Sequence, residues 1–181
     1  MAGEFNAKKL LPDTYRRTAD FAATYILEHS AYFPDILHLA LSEDHTMAMR
    51  ASRVINLIQE KKPDMVNREL PLILRHLIKT KDNSARRNLL RLFIGNTQLL
   101  QEESEQVILI DLCFEYVRNP AIEIAPRAYA LEILHEFSRK IPEIQMELIS
   151  AIKLSYPTFS TALKTRVGKI KKDLKRDIPD D

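Results

Sequence analysis

One cysteine, three glycines and no tryptophan in 181 residues narrow what this chain can be. A lone cysteine, Cys113, excludes an internal disulfide and a cysteine-rich zinc site, and it points to a reducing compartment. Three glycines, Gly3, Gly95 and Gly168, are too few for the tight turns of an all-β fold. They are also too scattered to build a phosphate-cradling loop. No apolar run approaches the length of a membrane span, and residues 1–6 lack the basic-then-apolar pattern of a signal peptide. These absences lead to the expectation of a soluble, cytoplasmic protein. No G-x-S-x-G or H-E-x-x-H is present, and the five histidines, His29, His38, His45, His76 and His135, have no ligand spacing. No metal, cofactor or catalytic residue is therefore expected.

What is there is a repeat. Arginines recur at Arg17, Arg50, Arg87, Arg127 and Arg166, and Ala48, Ala85 and Ala125 each stand two residues before one of them. Small residues at that spacing let a helix approach its neighbour closely, as stacked repeats require. Pro34-Asp35, Pro63-Asp64 and Pro142-Glu143 follow at similar intervals. Proline loses nothing at a first helical position, and an acid beside it complements the helix dipole. In the third copy Glu102-Glu103 takes this role, after a helix stop at Gly95-Asn96.

The pattern predicts a leading helix over 12–29, then pairs over 34–41 with 46–60, 64–79 with 84–94, 102–118 with 121–140, and 142–154 with 160–176. Pro71 and Pro126 each mark either a kink or a late helix start. Residues 1–11 are expected as an N-terminal tail, 12–176 as one domain, and 177–181 as an acidic C-terminal tail. The last helix has an apolar stripe, Leu163, Val167, Ile170 and Leu174, with basic residues on its other sides, which suits the end of a stack.

Net charge is +2, but it is unevenly placed: residues 45–100 carry eleven Lys/Arg against four Asp/Glu, and residues 101–160 five against ten. One constellation follows from the repeat. Arg50, Arg53, Arg86, Arg87, Arg91, Arg127 and Arg166, on the second helices, form a candidate binding face. Such a row suits phosphates or acidic protein segments if exposed. Otherwise it is consumed by ion pairs with Asp44, Asp82, Asp111 and Glu132. Asp111 and Glu115, four apart, share one helix face, which reads as the wet side of a buried helix with Arg118 as a surface partner for Glu115.

The segment from Leu70 to Leu90, with Leu70-Pro71-Leu72-Ile73, Asp82 and Ala85-Arg86-Arg87, resembles HEAT-like (armadillo-type) helical repeats. Residues 33–58 and 112–134 follow the layout loosely. The resemblance implies an all-α, right-handed α-α superhelix of about four helix pairs, and a non-enzymatic scaffold that binds a protein partner. Blocks such as Lys81-Asp82-Asn83-Ser84-Ala85, Ala128-Tyr129-Ala130 and Tyr156-Pro157 are similar to short bacterial HEAT-like proteins that often carry the label adenylosuccinate lyase. The Ser-Ser-x-Met-Pro-x-Lys-x-Asn loop of that lyase family has no counterpart here. HEAT-like DNA-repair glycosylases share the expected architecture, but their tryptophan is missing here. The alternative function is a nucleic-acid-binding scaffold acting through the second-helix arginines and the basic last helix.

Overall fold

The computed structural model describes residues 6–80 and 82–174; within them the chain is all-α, with no strand. It divides into two compact units, Met1–Leu92 and Phe93–Asp181. Lys81, Lys175, Arg176 and the acidic tail 177–181 lie outside the described residues.

The first unit holds α1 (Ala7–Leu10), α2 (Arg16–Glu28), α3 (Phe33–Ala40), α4 (His45–Lys61), α5 (Pro63–Asn67), α6 (Leu70–Leu77) and α7 (Asn83–Arg91). Helix α4 is its centre, packing on α2, α3, α5 and α7. Its buried positions, among them Ala48, Ala51, Val54, Ile55 and Ile58, run around most of the helix, as a helix surrounded by neighbours requires. The small residues Ala48 and Ala85 are both buried, on α4 and α7. Asp44 starts α4 by accepting the amides of Thr46 and Met47, and Asp82 starts α7 by accepting that of Ala85. Each satisfies amides that have no partner within the helix.

Asn6 caps α1 by accepting from the Lys9 amide, and Leu10 and Leu11 are buried. This turn is too short to show a helical period in sequence. One expectation for this unit needs correction. The helix expected over 64–79 is two helices, α5 and α6, separated at Arg68-Glu69. Pro71 sits in the first turn of α6, so it starts a helix rather than kinking one.

The second unit holds α8 (Glu103–Arg118), α9 (Ile124–Ser138), α10 (Pro142–Ser155) and α11 (Thr161–Leu174). Here α9 is central, packing on α8, α10 and α11. Pro126 lies three residues into α9, resolving its ambiguity as a late start. Gly95 has φ of +74°, in the left-handed region that glycine tolerates, in the turn that follows α7. The stripe Leu163, Val167 and Ile170 of α11 is buried as expected.

Candidate functional site

The seven candidate arginines do not share one fate. In the first unit, Arg50 Nη1 donates to the carbonyl of Leu11 at 2.8 Å and Arg53 Nη1 to that of Thr14 at 2.9 Å. Arg87 is exposed, and it joins Arg50 and Arg53 around a small cavity with Asp13 and Tyr15. Arg86 Nε donates to the Thr80 carbonyl at 3.1 Å, and Arg91 pairs with Glu60 at 2.9 Å.

In the second unit, Arg166 pairs with Glu132. Arg127 is 3% exposed: its Nη2 donates to the Val117 carbonyl at 3.0 Å and to Thr158 Oγ1 at 3.1 Å, and its guanidinium lies 5.0 Å from the Phe159 ring centre. Burial lowers its pKa. A charge held this way ties helices together and cannot face a ligand.

Of the four acids expected to neutralise the row, Glu132 does so for Arg166. Asp44 and Asp82 instead cap helices, and Asp82 also bonds His45 Nδ1 at 2.5 Å. Asp111 and Glu115 are both exposed on α8, while Arg118 turns to Glu147 at 2.6 Å rather than to Glu115. Cys113 is buried and burial pushes its thiol pKa up, so it is held as the neutral thiol. No group of three His, Cys, Asp or Glu side chains among the described residues is arranged to hold a metal ion.

A second feature has no counterpart in the seven arginines. Helices α3 and α6 border a groove of about 600 Å³. Phe33 and Leu37 of α3 and Leu41, which caps it, are spaced four apart and line one side, and Leu72 of α6 faces them while remaining 41% exposed. Basic groups surround this apolar strip, with His38 from α3 and Arg75, His76 and Lys79 from α6 and its end; Glu69 is the acid among the lining residues. Burial lowers the pKa of His76, against the pull of nearby Glu43. Its signal in the sequence is a second recurrence: Pro34 and Pro71 stand 37 apart and His38 and His76 stand 38 apart, on first helices rather than second ones.

Successive packed helices, proline-led starts and a central second helix in each unit define a helical-repeat protein. The chain belongs to the HEAT repeat domain family, which matches residues 7–174. No curated protein and no solved structure matches it. No described helix is long and apolar enough to cross a membrane.

Proposed function

We propose that this HEAT repeat protein is a non-catalytic scaffold that binds a protein partner in the α3–α6 groove. The observation carrying this reading is the exposed Leu72 facing half-buried Leu41 across an open groove, floored by the buried Phe33 and Leu37 and with a basic surround. Apolar anchors of an amphipathic helix fit such a groove, and a carboxylate beside them complements Lys79. The family match runs through both units, which supports treating 12–176 as one functional domain. We read the location as cytoplasmic on the ground of the single buried thiol.

The nucleic-acid alternative draws less support. Arg91 and Arg166 are neutralised by carboxylates, and Arg127 is buried. Duplex binding driven by phosphates would weaken steeply with salt, by about −0.9 in log–log slope per contact. We expect no such binding in an anisotropy titration at low salt. Nothing described above supports the lyase alternative, which requires fumarate release from adenylosuccinate.

The decisive comparison is affinity capture from the native lysate with the wild-type chain and with Leu72→Asp, both checked for folding by circular dichroism. The groove reading expects a protein retained by the wild type and lost from the variant. Equal recovery on both, or none on either, would overturn it.

A further inference from the structure

The cavity in the first unit lies where the segment after α1 crosses α4, and its volume is about 50 Å³. By this measure a water molecule needs about 10–15 Å³, so the space holds one compact oxyanion group and no ring. Three guanidiniums line it: Arg50 and Arg53, one turn apart on α4, and Arg87 from α7.

Their charges are seated but not neutralised. Arg50 and Arg53 are held by the carbonyls of Leu11 and Thr14, which are uncharged acceptors. A guanidinium has five N–H donors, so one such bond leaves most of its donors to place. Arg50 Nε is buried with no hydrogen-bond partner. The Arg87 side chain makes no hydrogen bond or ion pair among the described residues. Arg91, Arg118, Arg139 and Arg166, by contrast, each reach a carboxylate.

One acid, Asp13, lies among the three. Its carboxylate is occupied by the Thr18 side chain and by the Tyr15 amide, which donates to Oδ1 at 2.9 Å, and its pKa is lowered by these bonds. Three cations against one anion leave the lining with an excess of two positive charges. That excess matches a phosphate dianion, whose second ionisation lies near pH 6. A planar fork also suits the oxygens of a phosphate better than a point charge does. At the mouth, Tyr15 is 62% exposed with the Arg17 guanidinium 5.4 Å from its ring centre, a flat surface for whatever the phosphate is attached to.

We propose that this cavity is a phosphate site, with Arg53 and Arg87 as donors and Arg50 completing the positive field. It stands apart from the α3–α6 groove and does not depend on a partner binding there.

Calorimetric titration of the full chain with inorganic phosphate and with phenyl phosphate tests it, benzoate serving as the monoanionic control. Arg87→Ala is the informative variant, because the side chain is exposed and its removal breaks no internal bond. Loss of one charged donor should weaken phosphate binding about tenfold, with Arg87→Lys between the two. Binding should also fall as pH drops below about 6 and the ligand loses its second charge. Tighter binding of phenyl phosphate assigns the site to monoesters, and tighter binding of inorganic phosphate assigns it to the free ion. No heat from either probe at concentrations on the order of 10 mM, equal affinity for benzoate, or an unchanged Arg87→Ala would each overturn the proposal. Leu72→Asp should leave phosphate binding unaltered, so failure here and failure of the groove reading are distinguishable.

Discussion

The two units solve one packing problem with different polar chemistry. Each wraps a central second helix, α4 in the first and α9 in the second, in apolar neighbours. Across α4 and α7 the inner ties are neutral, with the exposed Arg91–Glu60 pair at the rim: Asn56 Nδ2 donates to the Asn88 carbonyl at 2.8 Å, Asn88 Nδ2 to Ser52 Oγ at 2.9 Å, and Gln59 Nε2 to the Leu92 carbonyl at 3.0 Å. Around α9 they are charged: Arg127 is buried, Arg166 meets Glu132, and Arg139 of the turn after α9 meets Asp173 at 3.0 Å. The difference separates what the repeat demands from what it tolerates. An apolar central helix recurs, while the polar ties around it vary with the neighbours present. Neutral ties should be indifferent to salt and pH, and charged ones should not.

Arginine 127 tests the charged side most severely. Replacing it with alanine removes two hydrogen bonds and the contact with Phe159, and leaves the Val117 carbonyl short of a partner. We expect Arg127→Ala to lose about 3 kcal/mol of stability, because a charged donor is being taken from a buried acceptor. Arg50→Ala should lose about 1 kcal/mol, since Arg50 is half-buried and makes one bond to a neutral carbonyl. Urea denaturation gives both numbers. Cys113, the chain's one thiol, is buried in the second unit, so its labelling by a thiol reagent reports opening there. Arg127→Ala should speed that labelling, and a stability loss no larger than that of Arg50→Ala would erase the contrast.

The neutral network answers to Asn56→Ala. Asn56 is buried and its amide spans two carbonyls, those of Ser52 and Asn88. Truncation leaves the Asn88 carbonyl without this donor, which should cost about 2 kcal/mol. The loss should be equal in low and high salt, because no ion is involved. A loss that shrinks as salt rises would mean that charge, not the amide, holds α4 to α7.

These residues also show how far sequence reaches. Helices α8 and α10, and the start of α11, fall within a residue or two of their expected limits, because their starts are written locally in Glu102-Glu103, Pro142-Glu143 and Ser160. The arginine stride links Arg50 and Arg87, and both line one cavity. It cannot distinguish Arg127, whose burial depends on Thr158 and Phe159, about thirty residues away in sequence. The groove escapes for a related reason. Leu72 sits in an apolar run indistinguishable from core, and its exposure depends on where α3 lies. Turns and caps are local information; which side of a helix stays uncovered is not.

The smallest expected effect belongs to Glu136 and carries an unusual sign. The side chain lies on α9 and accepts the Gly95 amide at 2.7 Å and the Thr97 hydroxyl at 3.3 Å. Burial nevertheless raises its pKa above the ordinary value of 4.5, outweighing those bonds. A carboxyl raised on folding stabilises fully below its unfolded pKa, and that contribution is lost as pH rises through the folded value. At neutral pH the ionised group is therefore a small burden. Glu136→Gln keeps an oxygen for the Gly95 amide, and an amide nitrogen can donate to Thr97. It should raise stability by less than about 1 kcal/mol at neutral pH, with the gain vanishing below pH 4.5. His135, also on α9, works the other way. Burial lowers its pKa foremost, so the unfolded chain takes up the proton first and stability falls as pH drops below 6.5 in wild type and variant alike. Thermal melts of the two proteins across pH 4 to 8 separate these contributions, since the histidine slope is common to both and cancels in their difference. A variant less stable than the wild type at neutral pH would show that the two hydrogen bonds, not desolvation, govern Glu136.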